Sequence, residues 1–217
     1  IEITAFGLSL TSTVDVPIAI TGAEADLKID HRIVKPWQTI ILPAGKELTI
    51  GTMKKGLRAY VAFAGGIDAK STLESTSRDT ILDLGTKLTD GMTLKLKHVP
   101  TKTNMKTTYL EDRPSYGSPW HIRVCDGPDT EIFTKSTEQF FKNTYRVSPV
   151  SNHVGIRLSG PAVENFKTPE ILSRGVGVGS IEIFPTGQAV VLHRGRTVTA
   201  GYPIIGVVPL IDLDMIG

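Results

Sequence analysis

Short runs in which apolar and polar residues alternate, each cut off by a glycine, a proline or an Asp-Gly pair, recur along almost the whole chain. In the first half they read "VPIAITG", "TIILPAG", "ELTIGTM", "RAYVAFAGG" and "MTLKLKHV". A period of two places successive side chains on opposite faces of a pleated strand, and punctuation this close leaves no room for helical crossovers. The pattern therefore predicts a mainly β protein. Asp90-Gly91 before "MTLKLK" suits the positive φ of a tight hairpin, and "PAG" at 43–45 reads as another reversal.

The alternation lapses in the polar stretch "PTKTNMKTTYLEDRPSYGS" and then resumes. This divides the chain into a first β subdomain at 1–100, a connection at 101–117 and a second β subdomain at 118–217. The second set opens with "HIRVCDGP", in which Cys125 reads as a buried strand thiol. It then breaks into one clear helical stretch, "TEIFTKSTEQFFKNTY", with Phe133, Thr137, Phe140 and Phe141 on one face and Pro128 and Asp129 at its start. Strands resume in "RVSPV", "VGIRLSG", "SIEIFPTG", "QAVVLHRG" and "IIGVVPLI". No longer repeat of a solenoid or propeller kind is visible.

A chain of 217 residues, 40% of them hydrophobic, can bury a sizeable core. Its 24 Lys and Arg against 22 Asp and Glu are interleaved, so no basic face of the kind that binds nucleic acid is expected. With a single cysteine an internal disulfide is impossible, which fits a reducing cytoplasm. No apolar run is long enough to span a bilayer, and the first residues alternate like a strand instead of forming a signal peptide. Beginning at Ile1 inside a strand pattern, the chain is expected to lack the start of its first subdomain.

No stand-alone catalytic motif is present. There is no Gly-Lys-Ser/Thr phosphate loop, His-Glu-x-x-His, Cys-x-x-Cys or Gly-x-Ser-x-Gly, and the five histidines lack metal-ligand spacing, so no metal is expected. Three clusters at strand ends combine polar side chains with permissive glycines. In "AGGIDAKSTLESTSRDT" the Gly65-Gly66 pair allows a sharp turn or a close ligand approach beside Ser77 and Asp79, although a loop that caps its own backbone accounts for the same residues. In "SPVSNHVGIRLSGP", His153 and Arg157 flank Gly155, and His153 has an imidazole suited to proton exchange near neutral pH. In "SIEIFPTGQAVVLHRGRTVTAGYP", Gln188, Arg194, Arg196 and Tyr202 suit a carboxylate or phosphate and a carbonyl, while a strand end with solvated arginines explains them equally well.

Taken in order, "GLRAYVAFAGGIDAKSTLESTSRDT", "IRVCDGP", "TYRVSPVSNHVGIRLSGP", "EILSRGVGVGSIEIFPTGQAVVL" and "TAGYPIIGVV" resemble the biotin-dependent carboxyltransferase family. That family includes KipA, the 5-oxoprolinase C component, the second component of allophanate hydrolase and the carboxyltransferase domain of urea carboxylase. The resemblance implies two cyclophilin-like β-barrel subdomains in tandem and a partner protein that is KipI-like, of the 5-oxoprolinase B-component type. It also implies ATP-dependent opening of a small amide or lactam, foremost 5-oxoproline, with ATP bound by the holoenzyme. Its alternatives are carboxyl transfer to a urea-like substrate from biotin on a separate carrier, and a non-enzymatic regulator that antagonises a kinase inhibitor.

Carried onto this chain, the resemblance assigns Asp79 and His153 to catalysis and Ser77, Arg157, Gln188, Arg196 and Tyr202 to substrate binding. Two departures stand out. Ser151-Asn152-His153-Val154-Gly155 replaces the family's Ser-Asp-Arg-Met-Gly, and Gly195 falls where relatives carry an aspartate before Thr-Gly-Gly-Tyr-Pro. The family's Gly-rich N-terminal segment with its Gln-Asp pair is also missing from this sequence.

Overall fold

In the computed structural model, which describes residues 1–102, 104–133, 135–164, 166 and 171–216, the alternating runs become strands. The chain divides into two compact units, Ile1–Gly117 and Ser118–Gly217.

The first unit contains β1 (Glu2–Thr4), β2 (Leu8–Thr11), β3 (Val16–Glu24), β4 (Leu27–Ile29), β5 (Arg32–Ile33), β6 (Thr39–Leu42), β7 (Glu47–Ile50) and β8 (Lys55–Phe63). They form two antiparallel sheets, ordered β1-β8-β3-β6 and β2-β7-β4-β5. The inward rows meet in one core: Ile3, Val16, Ile18, Ile20, Leu42 and Val61 from one sheet, Leu27, Ile29, Leu48 and Ile50 from the other. Each of these aliphatic side chains contributes about 1.5 to 3 kcal/mol by leaving water.

The mainly β class is as expected, but the expected barrels are open sheets among the described residues. The two sheets share one apolar core without a closed ladder. The polar stretch after residue 100 docks on this unit: Thr39 N–H donates to the Lys106 carbonyl at 2.8 Å and Thr108 N–H to that of Trp37 at 2.9 Å.

The turn readings fare unequally. Gly45 has positive φ, and Lys46 N–H reaches the Pro43 carbonyl at 3.1 Å, as "PAG" implies. Asp90-Gly91 does turn, but "MTLKLKHV" forms no strand; only Leu96 bridges, to Ile67, while packing on the core. At Gly65 φ is +86°, and an added Cβ would lie 1.9 Å from the His98 carbonyl oxygen. The close approach that this glycine permits is to the chain's own backbone.

The second unit runs β9 (Cys125–Asp126), α1 (Thr130–Phe133), α2 (Lys135–Lys142), β10 (Arg146–Val147), β11 (Gly155–Ser159), β12 (Arg174–Gly175), β13 (Ser180–Ile183), β14 (Ala189–Leu192), β15 (Thr199–Ala200), β16 (Ile204–Val207) and α3 (Leu210–Leu213). Six strands make one antiparallel sheet, β10-β11-β14-β13-β16-β9, and β12 pairs with β15 in a separate ribbon. Phe133 and Phe140 pack with Ile156, Ile181, Ile183, Val191, Ile205 and Leu213 on one face. On the opposite face Leu192 and Ile204 meet Val176, with Ala200 packed against them.

Three expectations need correction. The single helix is two described segments either side of position 134, which lies outside the described residues, and Phe141 is 40% exposed instead of joining the buried Phe133 and Phe140. "IIGVVPLI" stops being strand at Val207, because Pro209 has no N–H for the ladder and a fixed φ of −60° that starts α3. Cys125 is exposed, not core: β9 is the sheet's edge, and Val124 is the neighbour that packs inward.

Candidate functional site

The second unit assembles a polar and aromatic group from two separate stretches. Arg157 in β11 stands opposite Val190 in β14, and its backbone N–H is held by Ser151 Oγ at 2.9 Å. The turn "FPTGQ" joins β13 to β14: Phe184 N–H donates to the Gln188 carbonyl at 2.9 Å, and Gly187 N–H returns to the Phe184 carbonyl at 2.8 Å. That turn brings Phe184 and Gln188 beside Arg157. The guanidinium donates from Nη1 to Gln188 Oε1 at 3.2 Å, and its Cζ lies 5.7 Å from the centre of the Phe184 ring. Tyr202 completes the group, with its ring 4.5 Å from that of Phe184.

A guanidinium has five N–H donors. Flanked by the Gln188 amide and the Phe184 ring, Arg157 suits a small planar anion whose carbonyl also needs a partner.

His153 packs against the turn after β14 that carries Arg196. Gly195 N–H donates to the His153 carbonyl at 2.8 Å, His193 N–H to that of Val154 at 2.9 Å, and Arg196 N–H to that of His193 at 3.0 Å. The His153 ring fills the space beside Gly195, where an added Cβ would lie 2.1 Å from its Cδ2. The two arginines diverge: Arg194 pairs with Asp214 at 2.7 Å, while Arg196 Nε donates to the Val176 carbonyl at 3.0 Å.

Ser77 and Asp79 lie in the first unit, on an exposed loop. Asp79 Oδ1 accepts the N–H groups of Ile81 and Leu82 at 2.8 and 2.9 Å, and its backbone exchanges both hydrogen bonds with Leu84. Ser77 N–H donates to Ser75 Oγ at 3.2 Å. These are the contacts of a loop that caps its own backbone.

Three buried acids carry no motif that would single them out in the sequence. Asp212, only 1% exposed, accepts the Arg123 backbone N–H at 2.8 Å and pairs with the Arg123 guanidinium, which holds its carboxyl down to about 2. Asp129, expected only to start a helix, pairs with Arg174 and accepts the Ile204 N–H at 2.8 Å. Glu182, in the middle of β13, is 3% exposed, and burial pushes its carboxyl up against a smaller opposing pull from Arg174. An acid between two isoleucines in "SIEIF" is the one local sign of it.

The family description "Carboxyltransferase domain, subdomain A and B" matches residues 1–217. The chain is 30% identical to the C component of 5-oxoprolinase from Escherichia coli over 99% of its own length and 69% of that protein's. It is 32% identical to urea amidolyase of Saccharomyces cerevisiae over 74% of its length, a match that spans 10% of that much larger protein. The crystal structure of Kluyveromyces lactis urea carboxylase superposes with a TM-score of 0.88 at 23% identity, covering 100% of this chain and 21% of that one, and so shares its fold. With the description matching from end to end and a curated relative at 30% identity over nearly all of it, the chain belongs to the carboxyltransferase domain family and carries its subdomains A and B.

Proposed function

We propose that this chain is the C component of a 5-oxoprolinase, acting with a KipI-like partner of the B-component type to open the lactam ring of 5-oxoproline in an ATP-dependent reaction. The observation that carries the reading is the Arg157, Gln188, Phe184 and Tyr202 group. 5-Oxoproline is a small ring bearing a carboxylate and a lactam. The carboxylate suits the Arg157 guanidinium, the lactam suits an amide such as Gln188, and the ring's faces suit two aromatic side chains. The similarity to the 5-oxoprolinase C component over 99% of the chain supports the same substrate class.

The remaining residues take graded roles in this reading. Arg196 supplies positive charge from the turn after β14, where the Val176 carbonyl holds its Nε, and His153 is the proton carrier. Asp79 is less suited to that task, because two backbone amides already occupy one carboxylate oxygen. With no Gly-Lys-Ser/Thr phosphate loop in the chain, ATP enters the proposal through the assembled enzyme.

Similarity to urea amidolyase favours a second reading, carboxyl transfer to a urea-like nitrogen from biotin on a separate carrier. Urea has no anionic group for Arg157, which ranks this reading second. The deciding experiment assembles the chain with its partner proteins and follows glutamate formation from 5-oxoproline with and without ATP. ATP-dependent glutamate supports the proposal. Carboxylation of urea by carboxybiotin, with no glutamate formed, contradicts it.

A further inference from the structure

The sheet register of the second unit aligns four residues across one face. Arg157 in β11 stands opposite Val190 in β14, Val190 opposite Glu182 in β13, and Glu182 opposite Ile204 in β16. Directly paired residues project from the same side of a sheet. Glu182 therefore faces away from the helix-packed core that holds its neighbours Ile181 and Ile183, and toward the side that carries Arg157.

The ladder also shifts register between Ile181 and Glu182. The extra residue, Ile205, lies in β16 and leaves Glu182 in the regular alternation of β13, and such bulges are frequent beside active sites.

Glu182 is 3% exposed, and its Oε1 has no hydrogen-bond partner among the described residues. Arg174, the cation whose field reaches it, is already paired with Asp129. Around Glu182, then, stand one guanidinium committed to another carboxylate, the aliphatic Val190 and Ile204, and Arg157 one strand further on. A buried carboxylate without a partner is costly, and the neutral acid removes most of that cost.

We infer that Glu182 is a neutral carboxylic acid whose O–H donates a hydrogen bond to the carbonyl of the ligand held by Arg157. This rests on the proposed function for the ligand's identity. It adds a recognition residue from the sheet itself, two strands from Arg157 across β14. The arrangement is selective: an ionised carboxylate there would repel the ligand's own carboxylate, whereas the neutral acid supplies a donor. Two acids thus share one arginine in different roles, with Asp129 paired and Glu182 protonated.

The test uses the chain assembled with its partner proteins, titrated calorimetrically with 5-oxoproline from about pH 5 to about pH 9, a range that covers documented buried carboxyls. Wild type, Glu182→Gln and Glu182→Leu are compared, since Gln keeps a neutral donor and Leu removes it while filling the buried position. At the acid end wild type and Glu182→Gln bind equally, and Glu182→Leu binds about tenfold more weakly, the scale of a lost hydrogen bond. Wild-type affinity falls as pH rises and that of Glu182→Gln stays flat. Infrared difference spectra at neutral pH show a protonated-carboxyl band that Glu182→Gln lacks.

Equal affinities for wild type and Glu182→Leu, or no such band in the wild type, overturn the inference alone. A wild type that gives no heat with 5-oxoproline overturns the proposed function, and the inference falls with it.

Discussion

The ring of His153 occupies the space that a side chain at residue 195 would need: a Cβ added to Gly195 would lie 2.1 Å from His153 Cδ2 and 3.0 Å from the His153 carbonyl oxygen. The two positions that the sequence resemblance marks as departures, His153 and Gly195, are therefore in contact. The ring of His153 in this position and a side chain at 195 exclude one another.

This contact predicts a specific non-additivity. Gly195→Ala destabilises the protein by about 1 to 3 kcal/mol through overpacking. In the background of His153→Ala most of that cost disappears, giving a coupling of about 1 kcal/mol or more. Denaturant melts of the four proteins in the cycle measure it, and additive effects would show that the ring yields freely.

The pH dependence of stability carries two contributions of opposite sign. Asp212 has a folded-state value of about 2 against 3.8 when unperturbed. Its contribution is complete above 3.8 and is lost as pH falls through that interval toward 2, where the folded state must take up the proton. Glu182 is raised above 4.5, so its effect runs the other way: folding is favoured below 4.5 and becomes less so as pH climbs toward the raised value. Melting temperatures across the pH range should show Asp212→Asn removing the acid-side slope and Glu182→Gln flattening the decline on the alkaline side.

Gly65 has a positive φ of +86° and almost no clearance from the His98 carbonyl oxygen, so two penalties coincide there. Gly65→Ala should cost at least about 2 kcal/mol, from left-handed strain and the backbone clash together. Thermal denaturation measures it. A change within a few tenths of a kcal/mol would contradict the account of that turn.

Cys125 should react with a thiol reagent in the native state almost as fast as in denaturant, because it is exposed on the edge strand. A buried thiol would instead react only as the protein unfolds.

What could be read from the sequence follows the range of the forces involved. Strands such as Val16–Glu24 and Glu47–Ile50 declare themselves because one face is buried and the period of two survives in the residues. β13 and β14 are both buried on two faces: Ala189–Leu192 has lost its alternation, while Ser180–Ile183 keeps it, so Glu182 reads as a solvent-facing strand residue although it is buried. Whether a ladder closes into a barrel depends on pairings far apart in the chain, which no local pattern encodes.

The site divides along the same line. Arg157, Gln188 and Tyr202 stand out at strand ends in the sequence, and the structure places Arg157 beside Gln188 and joins Tyr202 to them through Phe184. The pairing of Asp129 with Arg174, 45 residues away, leaves no mark in the sequence. Ser77 and Asp79 sit in a loop whose own amides and hydroxyls account for the contacts described there.

The central claim is that Arg157 anchors the carboxylate of a small lactam. Its most direct measurement is calorimetric titration of the assembled protein with 5-oxoproline, comparing wild type with Arg157→Ala at one pH and one ionic strength. The account predicts binding by the wild type and a loss of about tenfold to one-hundredfold in the variant, the span of a charge-assisted hydrogen bond, with the variant still folded at the temperature of the titration. Equal affinities would contradict it and remove the β11 face from the binding site.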